Sequence, residues 1–447
     1  MNWRKPLIYL HFKRKSKVLD HLKELRKLQF LSRTELLEYQ ANQLKKILRH
    51  AHKNVPYYQQ VLEKAGVIQG NKVNLKKFDQ IPILTKDIIR QEKERIYSKD
   101  RDQRKYYENA SGGSTGEPVS IIQDAFYRDR SWANKILYNE AIGDFLGDPE
   151  IKLWGSERDI FQGSLGLRAR LQNYVWNRVL LNSFRMTEKE MADYVEKINE
   201  FKPVLIWSYI DSLYELARFI EANNLKVHSP VGIFVTAGTV YPSVKEYIGK
   251  IFKAPVYNQY GSREAGDMAT ECKEKKGLHV YEYLYYFEIL NEELKPCKPG
   301  EIGEIYVTSL INYSMPMIRY KIGDTASFLE DQTCPCGRNL VLINDVHGRI
   351  TDHFQRRDKA LIHGEYFTHL FYFRPWIKKF QVRQSDYELI DCYIVKDLEE
   401  EAKDMEDISQ KIKLVMGKEC KVNFRFVNNI PPSRSGKFLF TVSEVNR

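Results

Sequence analysis

The 447-residue chain is predicted to fold as an α/β protein, with a large part built on helix-covered sheets and a smaller α+β unit after it. Two observations carry this. Between residues 119 and 350, short β-like runs alternate with helical ones, the pattern of a mostly parallel sheet with helices over its faces. After "VHGRITD" the texture changes to strand, charged helix, strand. A chain this long also exceeds what one hydrophobic core serves. Residues 1–110 are expected to form a mostly helical part of the large domain, 111–348 its core and 349–447 the small domain, the cut falling near Gly348–Asp352.

Taken in order, Val18, Leu22, Leu25 and Leu28 follow helical spacing, with Lys17, Lys23, Arg26 and Lys27 on other faces. A second apolar stripe runs through Leu37, Leu44, Ile47 and Ala51. Pro56 ends that helix or starts the next, and Thr85 is positioned to cap "KDIIRQ". "VLIWSY" is a strand and "DSLYELARFIEANN" a helix. "VGIFVTAG" is a buried strand, "YPSVKEYIGKIF" a helix and "APVYNQYG" a further strand. "YEYLYYFEIL" and "GEIGEIYVTSL" form an antiparallel part, turned by "KPCKPGEIG". "ELIDCYIV", the helix of "EEEAKDMEDISQKIKLVMG" and "CKVNFRFV" make the small βαβ-like unit.

The net charge of +11 is not spread evenly. Residues 1–55 carry 14 Lys/Arg against 4 Asp/Glu, leaving 56 against 55 for the rest. A near-neutral body argues against a nucleic-acid partner, whose binding is charge-driven. The basic segment is either a docked helix with solvated lysines or a patch for anionic lipid or an acidic partner. No apolar run approaches the roughly 20 residues of a membrane span, and "PLIYLHF" is too short for a secretory signal. A cytoplasmic protein is expected, peripheral at the inner face of the membrane if the basic segment binds lipid.

"NASGGSTGEPVSI" sets Gly112, Gly113 and Gly116 among the hydroxyls of Ser111, Ser114 and Thr115. Such a turn can aim several N–H groups at one anion, but Glu117 and Pro118 stand where a Walker loop needs its lysine. Further on come "NQYGSREAG" with Glu264, "MIRYKIGDTASF" with Asp324, "HGRITD" and "PPSRSGKFLF" with Lys437. In that order these motifs resemble the core motifs of the adenylate-forming superfamily of acyl–CoA synthetases, adenylation domains and luciferases. "ILRHAHKNVPYYQQVLEKAG", "TSLINYSMPMIRYKIGD", "TCPCGRN" and "FQVRQ" are similar to its phenylacetate–CoA ligase and CapK-like branch.

The resemblance covers essentially the whole chain. It implies ATP-dependent activation of a carboxylic acid to an acyl-adenylate with pyrophosphate release, then transfer to CoA or another thiol or amine. Ser111 to Gly116 would wrap the phosphates. Glu264 would hold Mg²⁺, a hard cation suited to carboxylate oxygen, and Asp324 would accept the ribose hydroxyls. Ala237, Gly238, Asn258, Gln259 and Tyr260, followed by Gly261 and Ser262, would line the nucleotide slot. Lys437 would reach in from a mobile C-terminal lid to the α-phosphate, and Arg349 would sit at the hinge. Two departures stand out. Thr239 and Val240 replace a glutamate that many relatives carry beside the adenine strand, and the hinge position is Thr351 in place of Asp or Lys.

Cys272 with His279 and Cys334 with Cys336 form a set suited to a closed, structural zinc site. Two alternatives stay open: an amide- or ester-forming ligase acting on a sugar or amino acid in surface-polysaccharide synthesis, and a non-catalytic membrane-surface scaffold.

Overall fold

The computed structural model describes the chain apart from residues 1–2, 71, 112–118, 156–166, 184–185, 239, 345, 347–352, 359–360, 372–373, 375, 397, 432–438 and 446–447. It is a mixed α/β structure with a large multi-sheet N-terminal part and a smaller C-terminal domain.

The N-terminal helices are α1 (Arg4–Lys15), α2 (Val18–Leu28), α3 (Arg33–Asn54) and α4 (Pro56–Lys64). Val18, Leu22, Leu25 and Leu28 of α2 are buried against α6 (Ala125–Ile142), and Arg26 pairs with Glu140 at 2.5 Å. The docked-helix reading therefore describes α2. In α3 the inward stripe is Leu36, Gln40, Leu44, Ile47, Leu48 and Ala51, and Leu37 is exposed. The partner decides this: Gln40 donates to the carbonyls of Glu282 and Tyr285 and Arg33 pairs with Glu282, which turns the first turns toward that segment. Pro56 opens α4. The short pair β1 (Ile68–Gln69) and β2 (Lys72–Val73) leads to α5 (Lys86–Glu92), where the Thr85 hydroxyl accepts from the Ile88 N–H at 3.3 Å.

Strands β3 (Tyr107–Ser111) and β4 (Val119–Gln123) pair antiparallel. Next come β5 (Glu150–Trp154), α7 (Leu167–Val175), β6 (Arg178–Asn182), α8 (Glu188–Phe201), β7 (Leu205–Tyr209) and α9 (Ile210–Ala222). They are followed by β8 (Gly232–Thr236), α10 (Pro242–Phe252) and β9 (Val256–Ser262). β6, β5, β7, β8 and β9 lie side by side in parallel, as the strand–helix alternation predicts. Their residues face two cores in turn: Ile206, Ile233 and Val235 join the core under α8–α10, and Leu205, Trp207 and Phe234 join the one shared with the N-terminal helices. Burial on both faces is why these runs are apolar without alternation.

The sheet continues antiparallel through β10 (Gly266–Glu271), β11 (Leu278–Val280) and β15 (Leu342–Ile343). A second sheet holds β12 (Tyr285–Leu290), β13 (Gly303–Ser309) and β14 (Tyr320–Ala326). Beyond it lie the pair β16 (His353–Gln355) and β17 (Leu361–His363), then α11 (Gly364–Phe371), β18 (Ile377–Asp386), β19 (Leu389–Lys396), α12 (Ala402–Met416), β20 (Lys421–Phe426) and β21 (Thr441–Ser443). The last four strands form a sheet in the order β20-β19-β18-β21, with β19 and β20 parallel across α12. The Val382 N–H donates to the Phe440 carbonyl at 2.8 Å and the Gln381 amide to the Leu439 carbonyl at 2.7 Å. The chain is thus pinned to β18 from Leu439 onward.

Candidate functional site

In a parallel sheet of this kind ligands meet the carboxyl ends of the strands. Just past β8 comes Ala237, whose φ of +61° is left-handed, a conformation uncommon outside glycine and of the kind held where a site requires it. Gly238 follows, and a β-carbon there would come within 2.6 Å of Ile210. The next strand, β9, carries Asn258, Gln259 and Tyr260, all buried. The Gln259 amide donates to Asp267 at 2.8 Å, a carboxylate that Tyr138 of α6 also holds. Its side chain is therefore committed to the α6 side of the sheet.

The β9–β10 hairpin turns over Arg263–Ala265. Gly261 is required there because a β-carbon would come within 2.8 Å of the Gly266 carbonyl. The Ser262 hydroxyl accepts from the Ala265 N–H at 3.1 Å, so Ser262 shapes the turn. Gln123 of β4 donates to the carbonyls of Arg263 and Glu264, which ties the β3–β4 hairpin to the same turn. Glu264 is buried and meets Lys86 at 2.9 Å, each side chain only 7% exposed. The Tyr320 hydroxyl donates to the same carboxylate at 3.2 Å.

Four residues along β14 from Tyr320, Asp324 accepts from the Tyr260 hydroxyl at 3.0 Å. β14 thus touches two motifs about sixty residues apart in sequence, its Tyr320 meeting Glu264 at the hairpin turn and its Asp324 meeting Tyr260 of β9. Lys86 reaches Glu264 because the segment before α5 is stitched to β14. The Leu84 N–H donates to the Arg319 carbonyl at 3.0 Å and the Leu84 carbonyl accepts from Lys321 at 2.9 Å. Buried Arg319 clamps that segment through the Ile81 carbonyl and pairs with Glu288 at 3.1 Å.

Lys86 and Arg319 are the residues that the sequence reading passed over. A lysine in the first turn of a helix opposes the helix dipole, and that misfit is the signal that could have found Lys86. Ser111 closes β3 opposite Val119. Gly112, Gly113, Ser114, Thr115, Gly116, Thr239, Arg349, Thr351 and Lys437 lie outside the described residues.

A second cluster lies toward the β11–β15 edge of the sheet. Ligand atoms of Cys272, His279, Cys334 and Cys336 all fall within 4.8 Å of one another. Cys272 and Cys334 sulfurs are 3.6 Å apart, and the Cys336 sulfur is 3.5 Å from His279 Nε2. Bonds of about 2.3 Å to sulfur and 2.0 Å to nitrogen at tetrahedral angles imply separations of about 3.8 and 3.5 Å. The donor set therefore fits zinc in both chemistry and spacing. Burial pushes the Cys272 thiol up to about 12. Burial also pushes Cys336 upward, but hydrogen bonds from His279 and the Arg338 backbone outweigh it and bring that thiol down to about 5. The same turn grips the N-terminal helices, since Arg338 donates to the Gln29 side chain at 2.7 Å and Asn339 to the Leu31 carbonyl at 2.8 Å.

Residues 354–444 match the family of the CapK C-terminal domain. Protein CapK of Staphylococcus aureus is 26% identical over 92% of this chain and 90% of its own length. The phenylacetate–coenzyme A ligase of Thermus thermophilus is 25% identical over 73% of each chain. Among solved structures, a 2-hydroxyisobutyryl-CoA ligase in complex with its acyl-adenylate and CoA superposes with a TM-score of 0.60 over 94% of this chain and 92% of that one, at 17% identity. That likeness is one of fold.

Proposed function

We propose, from this chain's membership of the CapK and phenylacetate–CoA ligase-like branch of the adenylate-forming enzymes, that it is an AMP-forming ligase that activates a carboxylic acid with ATP. The observation that carries the reading is that β14 meets both motifs beside the end of β9: its Tyr320 bonds Glu264 and its Asp324 bonds Tyr260. The acid's carboxylate oxygen attacks the α-phosphorus, the bond to the β-phosphate oxygen breaks, and pyrophosphate leaves with that electron pair. A thiol then attacks the acyl carbon and AMP departs. Such chemistry is mostly a matter of position and charge.

Asp324, beside Tyr260, is disposed to accept the ribose hydroxyls. The slot after Ala237–Gly238 and along Asn258–Tyr260 takes the base. Glu264 is the acid for Mg²⁺, which when bound neutralises phosphate charge. Lys86 keeps Glu264 paired until the nucleotide arrives. The loop 111–116 supplies phosphate donors, Lys437 the cation at the α-phosphate, and Arg349 a contact at the hinge. The Cys/His cluster binds structural zinc that joins the sheet edge to the "CPCG" turn.

CoA is the acceptor that the phenylacetate ligases support. An amine or hydroxyl acceptor in surface-glycan assembly is the second reading, supported by the longer match to CapK and by the C-terminal family. Pyrophosphate release, measured with aromatic, fatty, amino and sugar acids in the presence and absence of CoA, tests both. ATP turnover with one acid class and a thioester product supports the first reading. Release with no acid, together with no ATP binding, leaves only a scaffold. Lys437→Ala is expected to lose ATP–pyrophosphate exchange yet still consume supplied acyl-adenylate; equal loss of both half-reactions would remove the role given to Lys437.

A further inference from the structure

We propose that the outer face of α1, extended by α7, is a preformed docking surface for anionic lipid. Helix α1 is apolar on two sides. Ile8 and Phe12 face inward, where Phe12 packs edge-on against Trp176 at 5.4 Å. On the opposite side, Trp3, Leu7 and Leu10 fall within about 60° of one another at 100° per residue, and they are 44–50% exposed. Two large apolar residues of α7 stand exposed as well, Leu171 and Tyr174, and Tyr174 meets the Trp3 ring at 6.1 Å. Arg4 donates to the Tyr174 carbonyl at 3.1 Å, which joins the two helices into one surface. Exposed apolar side chains gathered in this way mark an interaction site.

Charge selects the occupant. No acidic residue precedes Asp20, whereas Arg4, Lys5, Lys13, Arg14, Lys15 and Lys17 all do. Ion pairs of the N-terminal segment lie further on, at Arg26 and Arg33; among the described residues, none engages Lys5, Lys13, Arg14 or Lys15. A second copy of this chain would set like charge against like charge. A bilayer with anionic headgroups instead takes up the lysines while Trp3, Leu7 and Leu10 enter the headgroup boundary, the geometry of a helix lying in the interface. Aromatic rings with a polar edge, as at Trp3 and Tyr174, suit that depth. The packing of α1 onto Trp132 and Trp176 means that the surface needs no ordering on contact. Among the described residues no helix is long and apolar enough to cross a membrane, so the contact lies on the surface.

Flotation with phosphatidylcholine vesicles containing about 30% phosphatidylglycerol, against phosphatidylcholine alone, tests this on the full chain. Binding to the anionic vesicles is expected, at least tenfold weaker in the Leu7→Asp/Leu10→Asp variant and in Lys13→Gln/Arg14→Gln/Lys15→Gln, and weaker in high salt. An unchanged thermal melt separates lost binding from lost fold, and the glutamine variant removes only exposed charge. Equal binding to both vesicle types, or binding indifferent to both variants, would overturn the proposal. So would a concentration-dependent dimer dispersed by the aspartate pair, since a second copy would then cover the face.

Discussion

The Glu264–Asp324 site and the Cys272–His279–Cys334–Cys336 cluster both gather groups that can bear negative charge, yet they hold them in different ways. The first site supplies its carboxylates with partners: Lys86 and Tyr320 on Glu264, Tyr260 on Asp324. The cluster has sulfurs facing one another and a histidine, and burial holds the Cys272 thiol protonated. A pair that can part suits a hard cation that comes and goes with a nucleotide. Crowded thiols gain only when a soft ion displaces their protons and stays. On the proposed reading, the difference is that between a working metal position and a resident one.

The sharpest way to break this contrast is Glu264→Gln. It keeps the shape and loses the charge, and adenylation is expected to fall about 10³-fold, read by ATP–pyrophosphate exchange across a magnesium titration. A full rate at saturating magnesium would remove Glu264 from the metal position. Next is Lys86→Met, which leaves Glu264 buried without its cation and should lower the stability of the nucleotide-free protein by about 3 kcal/mol. Thermal melts should show magnesium and ATP stabilising this variant more than the wild type; an equal gain would make Lys86 purely structural.

At the cluster, a preparation washed with a weak chelator should retain about one zinc per chain. Cys336→Ser should lose the metal and about 2 kcal/mol of stability, with little change in rate at low temperature. The smallest effect belongs to a carboxylate with neither arrangement. Asp144 is buried, accepts only from Asn139 among the described residues, and has its other oxygen without a partner. Burial first, then the charges of Glu150 and Asp148, hold it well above the usual carboxylate range. The folded chain thus binds a proton that the unfolded chain releases, so this group's contribution to stability falls as pH rises from about 4 toward the raised value. Asp144→Asn should flatten that slope in melts compared at pH 5 and pH 8.

Much of the fold was legible because parallel strands buried on two faces must read as unbroken apolar runs, as "VGIFVT" and "VLIWSY" do. The order of Gly-rich turn, "YGSRE" and "RYKIGD" singled out Glu264 and Asp324, whose neighbourhoods β14 links. What stayed hidden depends on partners distant in sequence. Leu36 and Leu37 are equivalent until Glu282 and Tyr285 choose between them. Gln259 belongs to a nucleotide motif, yet Asp267 takes its amide. Lys86 reads as an ordinary helix residue until Arg319 draws its segment along β14.

The pinning of Leu439 and Phe440 to β18 bears on reach. Lys437 stands two residues before Leu439, a leash of about 7 Å at full extension. So short a tether cannot sweep an ammonium group between two distant stations by loop motion. On the role proposed for Lys437, relocating that charge carries the four-stranded sheet with it, and the rigidity of the sheet sets the precision with which the lysine is delivered. Inserting two glycines between Phe438 and Leu439 would loosen the aim without altering a single side chain.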